Sequence, residues 1–287
     1  MGSFYATDML DVLRAAGCTV AENDITAGWQ TRARSSGGFP GAPLGVQWHH
    51  TASRTSPAND LSWQIRGSSD APIGNVLLDR TGCYWPVAAG ASNTAGKGGP
   101  MRLSRGTVGQ DNANATTFAI EAANDGVGEA WPAVMIDAFF AGSNALNARW
   151  GNRPDDVFTH AAWTSRKIDP ATAAAVQGPW RPRSVTSSGT WSNDDVRAEC
   201  NRRAAAPAPT PDPDPEDDDM RSLLIRRQGD GALFVSDADL TFRFPLWGED
   251  YDALVATGQY VEVSTLRDDT LERIPVRGDE IVNVRAV

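Results

Sequence analysis

Apolar residues recur along the first two thirds of the chain in two kinds of pattern, which predict strands separated by helices. Short apolar runs predict three strands, at 45–48, 75–79 and 117–121. Helical spacing with capping signals predicts three helices, at 8–16, 130–149 and 192–202. Strands that alternate with helices indicate an α/β domain, with a mixed central β-sheet flanked by helices.

The pattern stops at residues 204–219, where prolines alternate with small and acidic residues. Such a segment favours an extended, solvated chain and offers no packed core. We therefore predict three parts: a large α/β domain at 1–203, a linker at 204–219 and a small α+β domain at 220–287. In the last part, apolar runs on both sides of residues 229–231 predict a hairpin, 250–258 a short helix and 260–263 a strand.

The net charge of −10 is confined to the C-terminal part of the chain. Residues 1–206 carry 18 basic and 18 acidic residues, whereas 207–287 carry 8 basic and 18 acidic residues. This distribution gives no basic surface for nucleic acid, and no apolar stretch approaches the ~20 residues that would insert in a membrane. Three widely spaced cysteines, Cys18, Cys83 and Cys200, predict buried free thiols rather than a disulfide framework.

The chain has only three histidines, and they lie near other groups that bind metal ions. His49 and His50 end a predicted strand, and His160 lies nine residues before Asp169. Two imidazoles and one carboxylate, with a fourth position open, form a typical catalytic zinc site. Because neighbouring side chains of a strand point to opposite faces, at most one of His49 and His50 can face a given metal.

Five segments in order resemble motifs of the amidase-2 family, which includes N-acetylmuramoyl-L-alanine amidases, phage amidase endolysins and peptidoglycan recognition proteins. They are 46–53 (VQWHHTAS), 75–82 (NVLLDRTG), 89–98 (AGASNTAGKG), 118–126 (FAIEAANDG) and 159–170 (THAAWTSRKIDP). The chain departs from some members at Gly74 and Asn75, where they have a tyrosine near the metal, and at Thr94, where a histidine is common.

The resemblance implies a role for each matching residue. It implies that Zn²⁺ is held by His49, His160 and Asp169. Glu121 would act on the attacking water and Lys167 on the developing oxyanion. The alternatives are a solvent-facing or salt-bridged strand residue for Glu121, and a surface lysine or a partner of Asp169 for Lys167. Four residues are candidate substrate contacts, namely His50, Asn93, Thr94 and Trp163, with a supporting or core role as the alternative for His50.

The function implied is hydrolysis of the amide between N-acetylmuramic acid and L-alanine in bacterial peptidoglycan. Two rival functions are a non-catalytic peptidoglycan-binding protein and a zinc peptidase that cuts within the stem peptide. The absence of a secretory pattern in the first 20 residues predicts an endolysin made in the host cytoplasm, which reaches the wall after the membrane is opened.

The C-terminal domain allows three interpretations. It could bind the cell wall through Phe242, Phe244, Trp247 and Tyr251, since its own charge of −4 (8 basic, 12 acidic residues) gives no attraction to anionic polymers. It could instead self-associate, with Met220 as an internal start that yields free domains. The same aromatic residues could also simply form its core.

Overall fold

The computed structural model describes residues 2–67 and 71–205 and four strands further along the chain. The chain divides into two compact units, Met1–Ala206 and Pro207–Val287. No helix among the described residues is long and apolar enough to cross a membrane. Most of the predicted linker, from residue 206 onward, lies outside the described residues, as does Met220.

The first unit contains seven strands and six α-helices within its described residues. The strands are β1 (Val46–His50), β2 (Val76–Leu78), β3 (Tyr84–Pro86), β4 (Met101–Leu103), β5 (Gly106–Val108), β6 (Phe118–Ala122) and β7 (Val157–Thr159). The helices are α1 (Met9–Ala15), α2 (Pro57–Arg66), α3 (Ala113–Thr116), α4 (Ala133–Arg149), α5 (His160–Trp163) and α6 (Asn193–Ala205). A 3₁₀ turn spans Ala173–Ala175.

Five of these strands form the central sheet, in the order β3-β2-β6-β1-β7. Strands β2, β6, β1 and β7 run parallel, and β3 pairs antiparallel to β2 at one edge. The predicted mixed sheet flanked by helices is confirmed. Strands β4 and β5 form a separate hairpin.

The main core lies between the sheet and the long helices. The indole of Trp48 stacks on Phe139 of α4 with ring centroids 3.7 Å apart and meets Trp191 edge-on at 6.3 Å. Because side chains alternate along a strand, Trp48 on one face places Gln47 and His49 on the other. The packing of Trp48 therefore fixes the face to which His49 points.

The three helices predicted in the first unit are confirmed, with shifted ends. Gly17, at φ +77°, follows α1 as expected. The predicted helix at 130–149 begins only at Ala133. Pro132 disfavours helical geometry at the residue before it, and Trp131 instead makes a β-bridge with Val176.

The second unit is described through four strands: β8 (Ser222–Arg227), β9 (Leu233–Ser236), β10 (Arg243–Pro245) and β11 (Tyr260–Leu266). Their order is β10-β9-β8-β11, with β8 antiparallel to β9 and parallel to β11. The antiparallel pairing of β8 with β9 is the pairing that the predicted hairpin requires. The predicted turn at 229–231, the helix at 250–258 and Phe242, Trp247 and Tyr251 lie outside the described residues.

Candidate metal centre and active site

The candidate site lies at the carboxyl edge of the central sheet, where ligands commonly bind in α/β proteins. The neighbouring parallel strands β6, β1 and β7 all end there. Their register sets His49 of β1 beside Glu121 of β6 and Trp48 beside Thr159 of β7, so that His160 follows at the same edge. Strand pairing thus brings together residues that are 111 positions apart in the sequence.

Three donor atoms converge on one point at this edge. The Nδ1 atoms of His49 and His160 lie 2.9 Å apart, and Oδ2 of Asp169 lies 3.1 Å from the first and 2.9 Å from the second. All three residues are buried. Among the described residues they form the group of side chains that could hold a metal ion.

Hydrogen bonds alone do not account for these three contacts, because too few protons are available for them. Nε2 of His160 lies 3.0 Å from the carbonyl oxygen of Ala95, so this nitrogen carries the ring proton and Nδ1 presents a lone pair. Burial lowers the pKa of His49 to about 4, so its ring is neutral and offers at most one proton to its two neighbours. A metal cation between the three atoms would instead be bound by one lone pair from each of them.

The spacing of the donors also suits a metal ion. Ligand atoms held tetrahedrally at about 2.0–2.1 Å from zinc lie about 3.3–3.4 Å apart, close to the separations observed here. The chemistry of the donors, two neutral imidazoles and a carboxylate, is that of catalytic zinc sites. The residues present therefore fit Zn²⁺.

Local hydrogen bonds hold His160 and Asp169 in place. The hydroxyl of Thr159 caps α5 by accepting a hydrogen bond from the Ala162 amide at 3.1 Å. The Ala161 amide donates to the carbonyl of Asp169 at 3.0 Å, which returns the chain to the start of α5. Burial would raise the pKa of Asp169, but hydrogen bonds and charge from His160 and His49 outweigh it and hold that pKa well below its usual range.

Glu121 stands beside the donor cluster, with its Oε1 atom 3.9 Å from Nδ1 of His49. Its side chain is nearly buried. Burial, followed by the charge of Asp169, raises the pKa of Glu121 well above its ordinary value. A carboxyl group in this position can accept a proton and later release it.

Lys167 lines the same cavity and is exposed. Within the described residues it forms no salt bridge, so the alternative in which it pairs with Asp169 is not what the structure shows. Its positive charge nonetheless opposes the rise in the pKa of Glu121. The lysine is therefore close enough to act electrostatically on the site.

His50 points to the opposite face from His49 and is not part of the donor cluster. Its Nδ1 atom accepts a hydrogen bond from the Ala171 amide at 3.2 Å, and its ring packs against Gly126. Gly126 has φ +69°, and a Cβ there would collide with the ring. His50 thus supports the loop behind the site while one part of it still lines the cavity.

The site opens into a cavity of about 630 Å³. Asn93 and Thr94 line it, as expected for substrate contacts. Trp163 does not, and this expectation needs correction. The indole of Trp163 is buried beneath the glycine-rich loop 96–99, where Nε1 donates to the Gly96 carbonyl at 3.3 Å.

The cavity also contains residues that were not predicted from the sequence, among them three apolar side chains and a glutamine. Trp63, Val127 and Ile168 are exposed apolar side chains on its walls, with Trp63 53% exposed, and Gln64 is buried next to Glu121. Three exposed apolar side chains on the walls of one cavity favour a ligand contact, because exposed apolar groups that cluster mark binding sites whereas isolated ones do not. The sequence signal available was the capped helix that carries Trp63 and Gln64.

The fold and the convergent donors define an α/β domain with a candidate catalytic metal centre. Residues 40–172 match the model of a family described as N-acetylmuramoyl-L-alanine amidase, which is the family that the sequence motifs resemble. The matched region includes all three donors, Glu121 and Lys167. No curated protein matched the sequence.

Solved structures with a similar arrangement include amidases and a recognition protein. The endolysin amidase LysCS from Clostridium intestinale has 13% identity, with 64% of this chain and 95% of that chain covered, at a TM-score of 0.40. AmiD from E. coli has 19% identity, 50% and 58% coverage and a TM-score of 0.37. Drosophila PGRP-LB has 13% identity, 51% and 82% coverage and a TM-score of 0.36. Since every score is below 0.5, the assignment rests on the family match.

Proposed function

We propose that the protein is a zinc-dependent N-acetylmuramoyl-L-alanine amidase that cuts peptidoglycan. The bond cut is the amide between the lactyl group of N-acetylmuramic acid and the L-alanine of the stem peptide. The observation that carries the proposal is the convergence of three donor atoms beside Glu121, inside the region that matches this amidase family.

His49, His160 and Asp169 would hold the ion at the wall of the cavity that Glu121 and Lys167 also line. When bound, Zn²⁺ would lower the pKa of a water molecule and polarise the amide carbonyl. The three protein ligands fit this role because their lone pairs already face one point.

Glu121 is the group placed to move the proton. It takes a proton from the attacking water while the water oxygen forms a bond to the carbonyl carbon. It then gives that proton to the alanine nitrogen as the carbon–nitrogen bond breaks. The raised pKa of Glu121 favours the protonated form, which the residue must hold between the two steps.

Lys167 has a complementary role. The negative charge that develops on the carbonyl oxygen exists only during the reaction, so a cation near that oxygen stabilises the transition state more than the substrate. Lys167 is exposed in the cavity and forms no salt bridge within the described residues, which leaves its charge available for the oxyanion.

The experiment is a comparison of metal content and wall hydrolysis. We expect about one zinc per chain in the wild type, none in His160→Ala, and no stem-peptide release from His160→Ala or from chelated protein. His50→Ala is the matched control, because its ring is outside the donor cluster, and it should retain zinc. Full activity in metal-free protein would refute the zinc-dependent mechanism.

The biological role that we propose is lysis of a host cell by a phage endolysin, with the C-terminal unit as a wall-binding or self-association module. The test compares the full chain with a chain ending at residue 205. A wall-binding module predicts loss of sedimentation with purified walls on truncation, and self-association predicts a lower mass in solution. If truncation changes neither property, the C-terminal unit serves neither role.

A further inference from the structure

The carbonyl group of Ala95 is the hydrogen-bond partner of His160, one of the three candidate metal ligands. It accepts a hydrogen bond from Nε2 of His160 at 3.0 Å, and both residues are buried. Because a carbonyl oxygen only accepts hydrogen bonds, this contact puts the ring proton on Nε2 and leaves the lone pair of Nδ1 in the donor cluster. Partners of this kind fix the tautomer and the ring orientation of metal-binding histidines. The direction of the Ala95 carbonyl therefore matters for the metal centre.

The backbone around this carbonyl does not by itself fix its direction. The peptide group that carries the carbonyl joins Ala95 to Gly96, which has φ +59°. Glycine adopts this left-handed conformation without steric cost and also adopts many others, so this peptide group could rotate at low cost. Among the described residues, no atom lies within 4 Å of the position that a Cβ of Gly96 would occupy. Contacts from other parts of the chain must therefore hold the carbonyl in place.

Two side chains hold the peptide groups before and after this one. The Ala95 amide donates to Oδ1 of Asn114 at 2.7 Å, although the two residues are 19 positions apart. An amide N–H only donates, so the oxygen of the Asn114 side chain, and not its nitrogen, must face Ala95. After the carbonyl, the indole of Trp163 donates to the Gly96 carbonyl at 3.3 Å. The Asn114 contact is the shorter of the two, and it acts on the same residue as the carbonyl that His160 uses.

We propose that Asn114 is a positioning residue for the metal centre. Its side-chain oxygen holds the Ala95 amide, which directs the Ala95 carbonyl towards Nε2 of His160, so that Nδ1 of this ring faces the other two donors. Asn114 lies on α3 and is not among the described residues that line the cavity, so it acts through the loop and not on the substrate. The inference rests on the proposed function, because His160 is a ligand of the zinc ion in that function.

The test is the affinity of the protein for zinc, measured by competition with a chelator in the absence of substrate. Asn114→Leu keeps the approximate size of the side chain and removes the acceptor. We expect it to weaken zinc affinity about 10-fold, the lower end of the range for groups that orient metal-binding histidines. Asn114→Asp keeps an oxygen at the same position and should restore the affinity to within about threefold of the wild type. If Asn114→Leu does not fold, Asn114→Ala removes the same acceptor and should give the same loss.

The matched control is Asn144→Leu. The side chain of Asn144 also holds a backbone group, since it donates to the Cys200 carbonyl at 3.0 Å. This contact joins α4 to α6, and neither helix contributes to the described lining of the cavity. Asn144→Leu should therefore keep its zinc affinity within about twofold of the wild type. An unchanged affinity in Asn114→Leu, an equal loss in Asn144→Leu, or a failure of Asn114→Asp to restore the affinity would overturn the positioning role.

Stem-peptide release by the same proteins separates this inference from the amidase proposal. A wild type that binds zinc but releases no stem peptides, together with weakened zinc affinity in Asn114→Leu, would refute the amidase and retain the positioning role. An active wild type whose zinc affinity is unchanged by Asn114→Leu would retain the amidase and refute the positioning role. A wild type that binds no zinc would refute both.

Discussion

Glu121→Gln should separate proton transfer from metal binding. The substitution keeps the shape of the side chain and removes its ability to accept a proton. General acid–base catalysis typically contributes about 10²–10⁴-fold, which corresponds to about 2.7–5.4 kcal/mol of activation free energy. We expect kcat to fall within this range, because Glu121 lies 3.9 Å from a donor atom. The other buried carboxylate that lines the cavity outside the donor cluster, Asp125, is already engaged by Arg54 and by the Val127 and Glu129 amides.

The same substitution should also change how stability depends on pH. Burial raises the pKa of Glu121 in the folded state above its ordinary 4.5, so the folded protein binds this proton more tightly than the unfolded chain. Below about pH 4.5 both states are protonated, and the carboxyl group causes no destabilisation. As pH rises towards the folded pKa, ionisation in the unfolded chain destabilises the folded state. In metal-free protein, Glu121→Gln should therefore gain Tm relative to wild type as pH rises.

The assay combines release of stem peptides from purified walls with zinc content and Tm. Glu22→Gln is the matched control, because it makes the same chemical change at a partly exposed glutamate that does not line the cavity. It should retain wild-type kcat. A Glu121→Gln variant that keeps its zinc and works within about threefold of the wild type would refute the proton-transfer role.

Three further predictions concern the walls of the site and the thiols. Asp125→Ala should lower Tm at neutral pH, and this difference in Tm from the wild type should disappear as pH falls from about 4 to about 2. The reason is that hydrogen bonds from the Val127 and Glu129 amides lower the pKa of Asp125 in the folded protein to about 2. A difference in Tm that is unchanged at pH 2 would contradict this. Trp63→Ala should raise KM about 10-fold with kcat within about twofold, since an exposed aromatic wall binds substrate and transition state alike; a change in kcat alone would count against it. The buried Cys83, whose pKa burial raises to about 11, should react with a thiol reagent at pH 8 only after unfolding, and rapid labelling of the native protein would disprove it.

Much of the site could be predicted because its residues end short, strongly apolar strands. His49 and Glu121 each follow such a run, and parallel strands bring their carboxyl ends to one edge. The sequence could not give the register of β1 against β6, which depends on packing between distant segments. The alternation along β1 did predict that at most one of His49 and His50 would join a donor cluster, and the structure places His49 but not His50 in that cluster.

The position of Trp163 could not be predicted from its neighbours in the sequence. It lies between two site residues in the sequence, yet the loop 96–99 covers its indole, and the space for that cover comes from Gly98 and Gly99. Whether a tryptophan lies under a loop or on a cavity wall depends on contacts between distant parts of the chain. For the same reason, Trp63 and Gln64 were not predicted to line the cavity. Their helix begins with the capping residue Ser56, but the orientation of the helix follows from tertiary packing.

The most direct test of the central claim is mass spectrometry of the products released from purified peptidoglycan by the zinc-loaded protein. The amidase mechanism predicts intact stem peptides that begin with a free L-alanine amino group, together with glycan strands whose muramic acid carries a free lactyl carboxylate. Omission of zinc should abolish both products. Fragments cut within the stem peptide would identify a peptidase, and an absence of any product from the zinc-loaded protein would contradict the catalytic assignment.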